Sequence, residues 1–431
     1  MQKVAKEALL VLRTLSAQRG ALFSPLTERL YRSAHDNVLA CKEGRSGTHF
    51  ERSTLILSLL SITKVSAADA QTLLFACAMD AVLTSSQRAV AVRAFCDLLY
   101  VGSDLLDAST LNKEINALSE ALFRSAVQLY THDARVALMH GMLQSLRAGK
   151  SGEQEGEFNA VTPAVQAMNK HVATFTQQVL PNMMQYVSQV LHPPVQRQWL
   201  LLMSEAMQQS LVHPLPYLPT ILALSISGET RTVAPVACGL YKRLAEKHRK
   251  FVHTKDAEGM HLAFRHLVTQ CSEKGTPLQS LTGFVRTGEA QVRSRWQTLF
   301  STLWSHGQNQ EACRAYRLFL TTLLQWDGAR LSGPQEELVL WRFQLDALVS
   351  LTFPAMQWVV LLLDTLVSLV SLHGPDCPAA LPSTVDRQAA LREWLAAYKL
   401  LMCHQVRLYL QQRYNVSDAY LFWILVQHER T

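Results

Sequence analysis

HPLPYLPTILALSISGETRTVAPVACGLYKRLAEKHRKFVHTKDAEGMHLAF occupies residues 213–264, and its reading decides the fold class. A proline-punctuated apolar helix comes first, then a short polar loop around Gly228 and Glu229. A second helix follows, then a basic hinge that leads into a third. Val233, Val236, Leu240 and Leu244 recur at helical spacing, while Lys242, Arg243 and Lys247 fall off that stripe. One face of the second helix is therefore expected to pack on neighbouring helices, and the other to meet water or a polyanion.

Helical periodicity extends outward from this stretch in both directions. Val4, Ala8, Val11 and Leu15 form one stripe near the start, and Leu391, Leu395, Tyr398, Met402 and Tyr409 another near the end. No sustained strand alternation occurs, and proline often follows a hydroxyl residue at an expected helix entrance, as at Ser24-Pro25 and Thr162-Pro163. The expected class is all-α. Four helices share a polar loop, an arginine and an apolar stripe, beginning near Arg88, Arg135, Arg197 and Arg231. Helix pairs of HEAT type recur at about 40–47 residues, because a two-helix unit cannot bury its own apolar face and must stack on the next. The expectation is one continuous α-solenoid of HEAT-type helix pairs over residues 1–431, a curved superhelix of about eight to ten pairs. The stretch AGKSGEQEGEFN, residues 148–159, reads as a mobile loop within a repeat.

Composition narrows the function classes. Apolar residues make up 48% and charged ones 17%, enough for a large core, and the formal charge of +7 favours an anionic partner. None of the eight cysteines stands at Cys-x-x-Cys spacing, so no zinc ribbon or redox motif is indicated, and a reducing compartment is expected. The N-terminus lacks a signal-peptide layout. The most apolar run, Trp358–Leu372, is too short to span a bilayer and is expected to be a fully buried helix. His248 with His253, and His261 with His266, miss the i, i+4 spacing of paired helical ligands, so no metal or cofactor is expected. Gly-x-Ser-x-Gly, Walker and Gly-x-Gly-x-x-Gly motifs are missing as well, and the chain is read as non-enzymatic. Trp296, Trp304, Trp341 and Trp394 fall in helical stripes and are expected in the core.

Six basic residues, Lys242, Arg243, Lys247, Arg249, Lys250 and Lys255, crowd the hinge against Glu246 and Asp256. Two readings stand: a phosphate-contacting patch or a solvated helix face. Arg286, Arg293 and Arg295 form a second candidate patch, and Arg314 with Arg317 a third.

Several elements, in order, resemble the C-terminal region of the Nipped-B family of cohesin loaders. The first is His213, Pro214 and Pro219 followed by Lys247, His248, Phe251, Val252, His253, Lys255, Gly259 and Met260. The helix pair before His213, the basic leucine-rich helix from Arg314, and Phe353-Pro354 with its long apolar helix are similar to the family's next elements. The last match closes on Arg407, Leu410, Tyr414, Asn415, Val416, Ser417 and Asp418, with Asn415 where the family has glycine; both suit the left-handed end of a helix. The resemblance covers residues 85–418 most strongly. It implies a nuclear, chromosome-associated scaffold that engages the SMC heads and kleisin of cohesin, binds double-stranded DNA, stimulates cohesin's ATPase and promotes its loading for sister chromatid cohesion. Met356-Gln357-Trp358-Val359 stand where the family carries an acidic run, so contacts made by those acids are not expected here. The chain opens directly in a helix without the family's long N-terminal region, which binds the adaptor subunit, so either a fragment or a much shortened member without that function is expected. A karyopherin-like transport scaffold is the alternative, although such proteins usually present acidic inner surfaces that the positive charge here disfavours.

Overall fold

The computed structural model describes the chain except for residues 1, 19, 45–48, 103–104, 124–131, 155–175, 178, 230, 249–251, 279–309, 325–333, 354, 374–386 and 421–431. Among the described residues every regular element is a helix and none is a strand, so the all-α class expected from periodicity is observed, in keeping with a helical repeat. The chain divides into two compact units, Met1–His213 and Pro214–Thr431.

The first unit holds α1 (Gln2–Gln18), α2 (Gly20–Lys42), α3 (Phe50–Leu60), α4 (Lys64–Met79), α5 (Ser85–Gly102), α6 (Ala108–Phe123), α7 (His132–Gln154), α8 (residues 179–189) and α9 (Pro193–Gln208). Odd-numbered helices stack in sequence, α1 on α3, α3 on α5, α5 on α7 and α7 on α9, while α2, α4 and α6 line up behind them. Each helix pair therefore finds its partners among the nearest pairs, as a repeat requires. Local chemistry sets the ends. Thr63 and Ser66 form a reciprocal capping box on α4, Thr63 Oγ1 accepting from the Ser66 amide at 3.1 Å and Ser66 Oγ from the Thr63 amide at 3.0 Å. Helices α5 and α7 approach closely at Gly141 of α7, where a Cβ would come within 2.2 Å of Cys96 Cβ.

Two of the four repeat arginines are structural. Arg135 is buried, donates from Nε to the Leu122 carbonyl at 2.7 Å and lies 4.3 Å from the centre of the Tyr186 ring. Arg88 is also buried and reaches the Asp80 carbonyl and Ser85 Oγ. Beside Arg135, the half-buried His132 and His192 rings stack at 3.9 Å, and His132 Nδ1 meets Tyr186 Oη at 3.2 Å. Burial holds both imidazoles below their ordinary range. For His132 the neighbouring His192 and Arg135 add to that, and Asp133 opposes it; for His192, Asp133 opposes and Arg135 adds. A depressed histidine contributes stability above its unfolded value of about 6.5, and that contribution is lost as pH falls below it. Thermal unfolding followed between pH 7.5 and 5.5 should show a falling Tm, and His192→Gln should flatten that decline.

The second unit holds a 3-10 turn (Leu215–Tyr217), α10 (Leu218–Ser227), α11 (Ala234–Lys247), a second turn (His253–Lys255), α12 (Asp256–Lys274), α13 (Gln310–Leu323), α14 (Pro334–Ser350), α15 (Met356–His373) and α16 (Arg387–Tyr414). Buried throughout its length, α10 packs against both α11 and α12. From there α12 meets α13, α13 meets α15, and α16 lies on α14 and α15. Asn415 ends α16 at φ 52° in the expected left-handed conformation. The Val416 amide bonds Gln411 O at 2.9 Å and the Asn415 amide bonds Gln412 O, a Schellman closure.

Several expectations need correcting. Pro25 lies inside α2 and not at its entrance, since the helix already begins at Gly20. Helix α7 continues to Gln154, into the loop expected over 148–159, even though Gly149 and Gly152 disfavour helix; residues 155–159 lie outside the described set. The α1 stripe is not the packed face. Val11 is 58% exposed, and Arg13 Nη1 instead donates to the carbonyls of Leu59 and Ser61 at 3.0 and 2.9 Å. On α16 the buried row is Lys399, Cys403 and Leu410, next to the expected one; Tyr398, Tyr409 and Trp394 are exposed. Lys399 is drawn inward by its ion pair with Glu337 and by the Trp341 ring at 5.1 Å. Trp341 is in the core as expected, while Trp296 and Trp304 lie outside the described residues. Helix α15 is buried from Trp358 to Leu363 and again at Leu366, but Leu372 is 69% exposed. No described helix is long and apolar enough to cross a membrane.

Candidate nucleic-acid interface

The candidate surface is built on α11, whose packed face explains its exposed one. Val233, Ala237, Leu240, Tyr241, Leu244 and Ala245 are buried, which anchors the helix and turns Arg243 and Lys247 to solvent, with Lys242 half-buried between. The anchor is deepest at Tyr241, which donates to Asp256 Oδ1 at 2.5 Å. Asp256 is itself 4% exposed and opens α12, where a carboxylate also suits the helix N-terminus. Burial first, and Asp256 second, push the Tyr241 phenol far above its ordinary range, so it stays a donor at any physiological pH. One hydrogen bond thus ties the basic helix to the helix after the hinge. Ser227 Oγ and His266 Nδ1, 3.0 Å apart, and Gln270 Nε2 on the Ser227 carbonyl join α10 to α12 in the same way.

The expected basic residues separate into groups. Arg249, Lys250, Arg286, Arg293 and Arg295 lie outside the described residues. Lys255 pairs with Glu258 at 2.7 Å and Arg317 with Asp364 at 3.4 Å, so both already have an acidic partner. Arg314 is exposed on α13. The described basic residues that α11 itself carries are Lys242, Arg243 and Lys247.

The residues that carry the resemblance hold the scaffold. Pro214 is buried and its carbonyl accepts from the Tyr217 and Leu218 amides, while Pro219 sits buried at the entrance of α10; His213 is exposed before them. Gly259 is demanded by the crossing of α12 over α10, where a Cβ would stand 2.8 Å from Leu222 Cδ2, and Met260 beside it is 1% exposed. Phe353 is buried edge-on against Tyr414 at 5.9 Å. Ser417 accepts from the Tyr420 amide at 3.2 Å, and Asp418 accepts from Gln411 Nε2 at 2.7 Å and Arg407 Nη2 at 2.6 Å. Those two donors, Gln411 first, hold the Asp418 carboxyl below its usual range. His253 begins the second 3-10 turn; Phe251 and Pro354 are outside the described residues.

A family model described as the sister chromatid cohesion C-terminus, Nipped-B_C, matches residues 172–369. Over those residues the chain is similar to the C-terminal region of the Nipped-B family. The match contains the whole of α9 to α14, and with them the Tyr241–Asp256 anchor and the Gly259 crossing. This similarity supports a role in sister chromatid cohesion and an involvement with cohesin. No curated protein matches the chain.

Proposed function

We propose that this protein is a cohesin loader: a non-enzymatic, nuclear scaffold that engages the SMC heads and kleisin of cohesin, grips duplex DNA through the basic side of α11, and stimulates cohesin's ATPase. The observation that carries the proposal is the Nipped-B family match over residues 172–369, within which α11 turns Arg243 and Lys247 outward. Stacked helix pairs offer a long surface on which several partners can sit together. Phosphate contacts from lysine and arginine release counterions, so affinity is sequence-independent and falls steeply with salt.

The double substitution Arg243→Glu with Lys247→Glu tests both halves of the proposal. Both residues are exposed, so the fold should survive. Duplex DNA affinity in a mobility-shift titration should fall about tenfold, and the slope of log K against log salt should shrink by about 2. Stimulation of purified cohesin's ATPase in the presence of DNA should fall in parallel. Unchanged DNA affinity would remove α11 from the interface; cohesin that ignores the unsubstituted protein would remove the loader activity.

A further inference from the structure

The first unit contains a cleft of about 570 Å³ between α2, the end of α1 and the α3–α4 turn, outside the family match. That volume lies in the range of sites that accept small ligands or single side chains. Its floor is apolar at Leu60 and Ile62, and Tyr31 on its wall is fixed by donating its hydroxyl to the Ser66 carbonyl at 2.7 Å. Three carboxylates, Glu28, Asp36 and Asp69, share this wall with one arginine, Arg32, which Glu28 already engages. Asp36 has His35 Nδ1 at 3.7 Å, while Asp69 is exposed and has no basic partner among the described residues. Ser16, also on the lining, is 7% exposed, and its hydroxyl is buried without a hydrogen-bond partner among the described residues. The α4 N-terminus that borders the cleft offers no anion site, because the Ser66 and Ala67 amides are already bonded to Thr63.

We propose that this cleft binds an arginine or lysine side chain presented by an extended segment of a partner protein. A bound cation would answer Asp69, which has no basic partner among the described residues, and the Tyr31 ring would add a cation–π face. The aliphatic stem of a basic side chain suits the Leu60 and Ile62 floor. Val65, 72% exposed at the rim, offers apolar contact to the residues flanking the inserted one, which favours a peptide over a free amine. An anion would face uncompensated carboxylates, and a neutral ligand would leave Asp69 unanswered. The acidity is local, set within a chain of net charge +7.

Fluorescence anisotropy on the full chain tests the proposal, with a fluorescein-labelled, N-acetylated heptapeptide bearing one central arginine. The arginine peptide should bind at least tenfold more tightly than the same peptide with neutral citrulline at that place. Asp69→Asn should weaken arginine binding about tenfold with an unchanged Tm. Equal binding of the two peptides, or an affinity indifferent to Asp69→Asn, would overturn the site. Spermidine binding more tightly than the peptide and displacing it would overturn the peptidic occupant.

Discussion

Replacing Gly141 by leucine is expected to destabilise the first unit by about 3 kcal/mol. Glycine costs up to about 1 kcal/mol in a helix interior relative to alanine, so on propensity alone any replacement would be favourable. Packing reverses the sign. A Cβ at this position would stand 2.2 Å from Cys96 Cβ and 2.7 Å from its Sγ, and Cys96 is itself buried in α5. The Cys96 Cβ is fixed to its backbone and cannot swing aside as the Sγ could, so α5 and α7 must separate. Leu98 and Leu138, both fully buried on these helices, would lose part of their packing. Chemical denaturation read by circular dichroism should show the loss. Gly239→Ala is the control, because a Cβ on that exposed glycine of α11 meets nothing within 4 Å and should leave stability equal or slightly higher.

The second large effect is expected at Tyr241. Tyr241→Phe keeps the ring and removes the donor to Asp256, which costs about 2 kcal/mol because a carboxylate that is 4% exposed loses a hydrogen bond. Tyr241→Ala adds a cavity at one of the largest fully buried side chains of the unit and should cost about 4 kcal/mol. The two variants separate the polar tie from the packing. Because the tie joins α11 to α12, Tyr241→Phe should also weaken DNA binding by loosening the basic helix, even though the phenol faces away from solvent. A Tyr241→Phe protein of unchanged stability would show that the hinge is held by packing alone.

Helices were legible in this sequence wherever apolar residues kept a 3.6-residue period. Which row of each helix is buried was harder to read. On α16 the aromatic row at Trp394, Tyr398 and Tyr409 looks like the core, yet the structure buries Lys399, whose partner Glu337 lies 62 residues away. No local pattern could have signalled that pairing. Arg13 is similar: its carbonyl acceptors at Leu59 and Ser61 are brought close only by tertiary folding. For the candidate interface, the pairing of Lys255 with Glu258 was readable from their three-residue spacing, whereas that of Arg317 with Asp364, 47 residues on, was not. The family match covers residues 172–369 of the 85–418 over which the resemblance was read, and there Pro214, Pro219, Gly259 and Phe353 proved to be residues that shape the frame.

The stacking order of the first unit has a mechanical consequence. Since α1 leans on α2 and α3, and α7 on α5 and α9, tension applied to one end would be resisted by one seam at a time. Such an array yields by opening single seams, each able to close again when the load drops. Under load along its length the first unit would then behave as a compliant tether, giving way by a helix pair and recovering it, where a body with one shared interior would rupture whole.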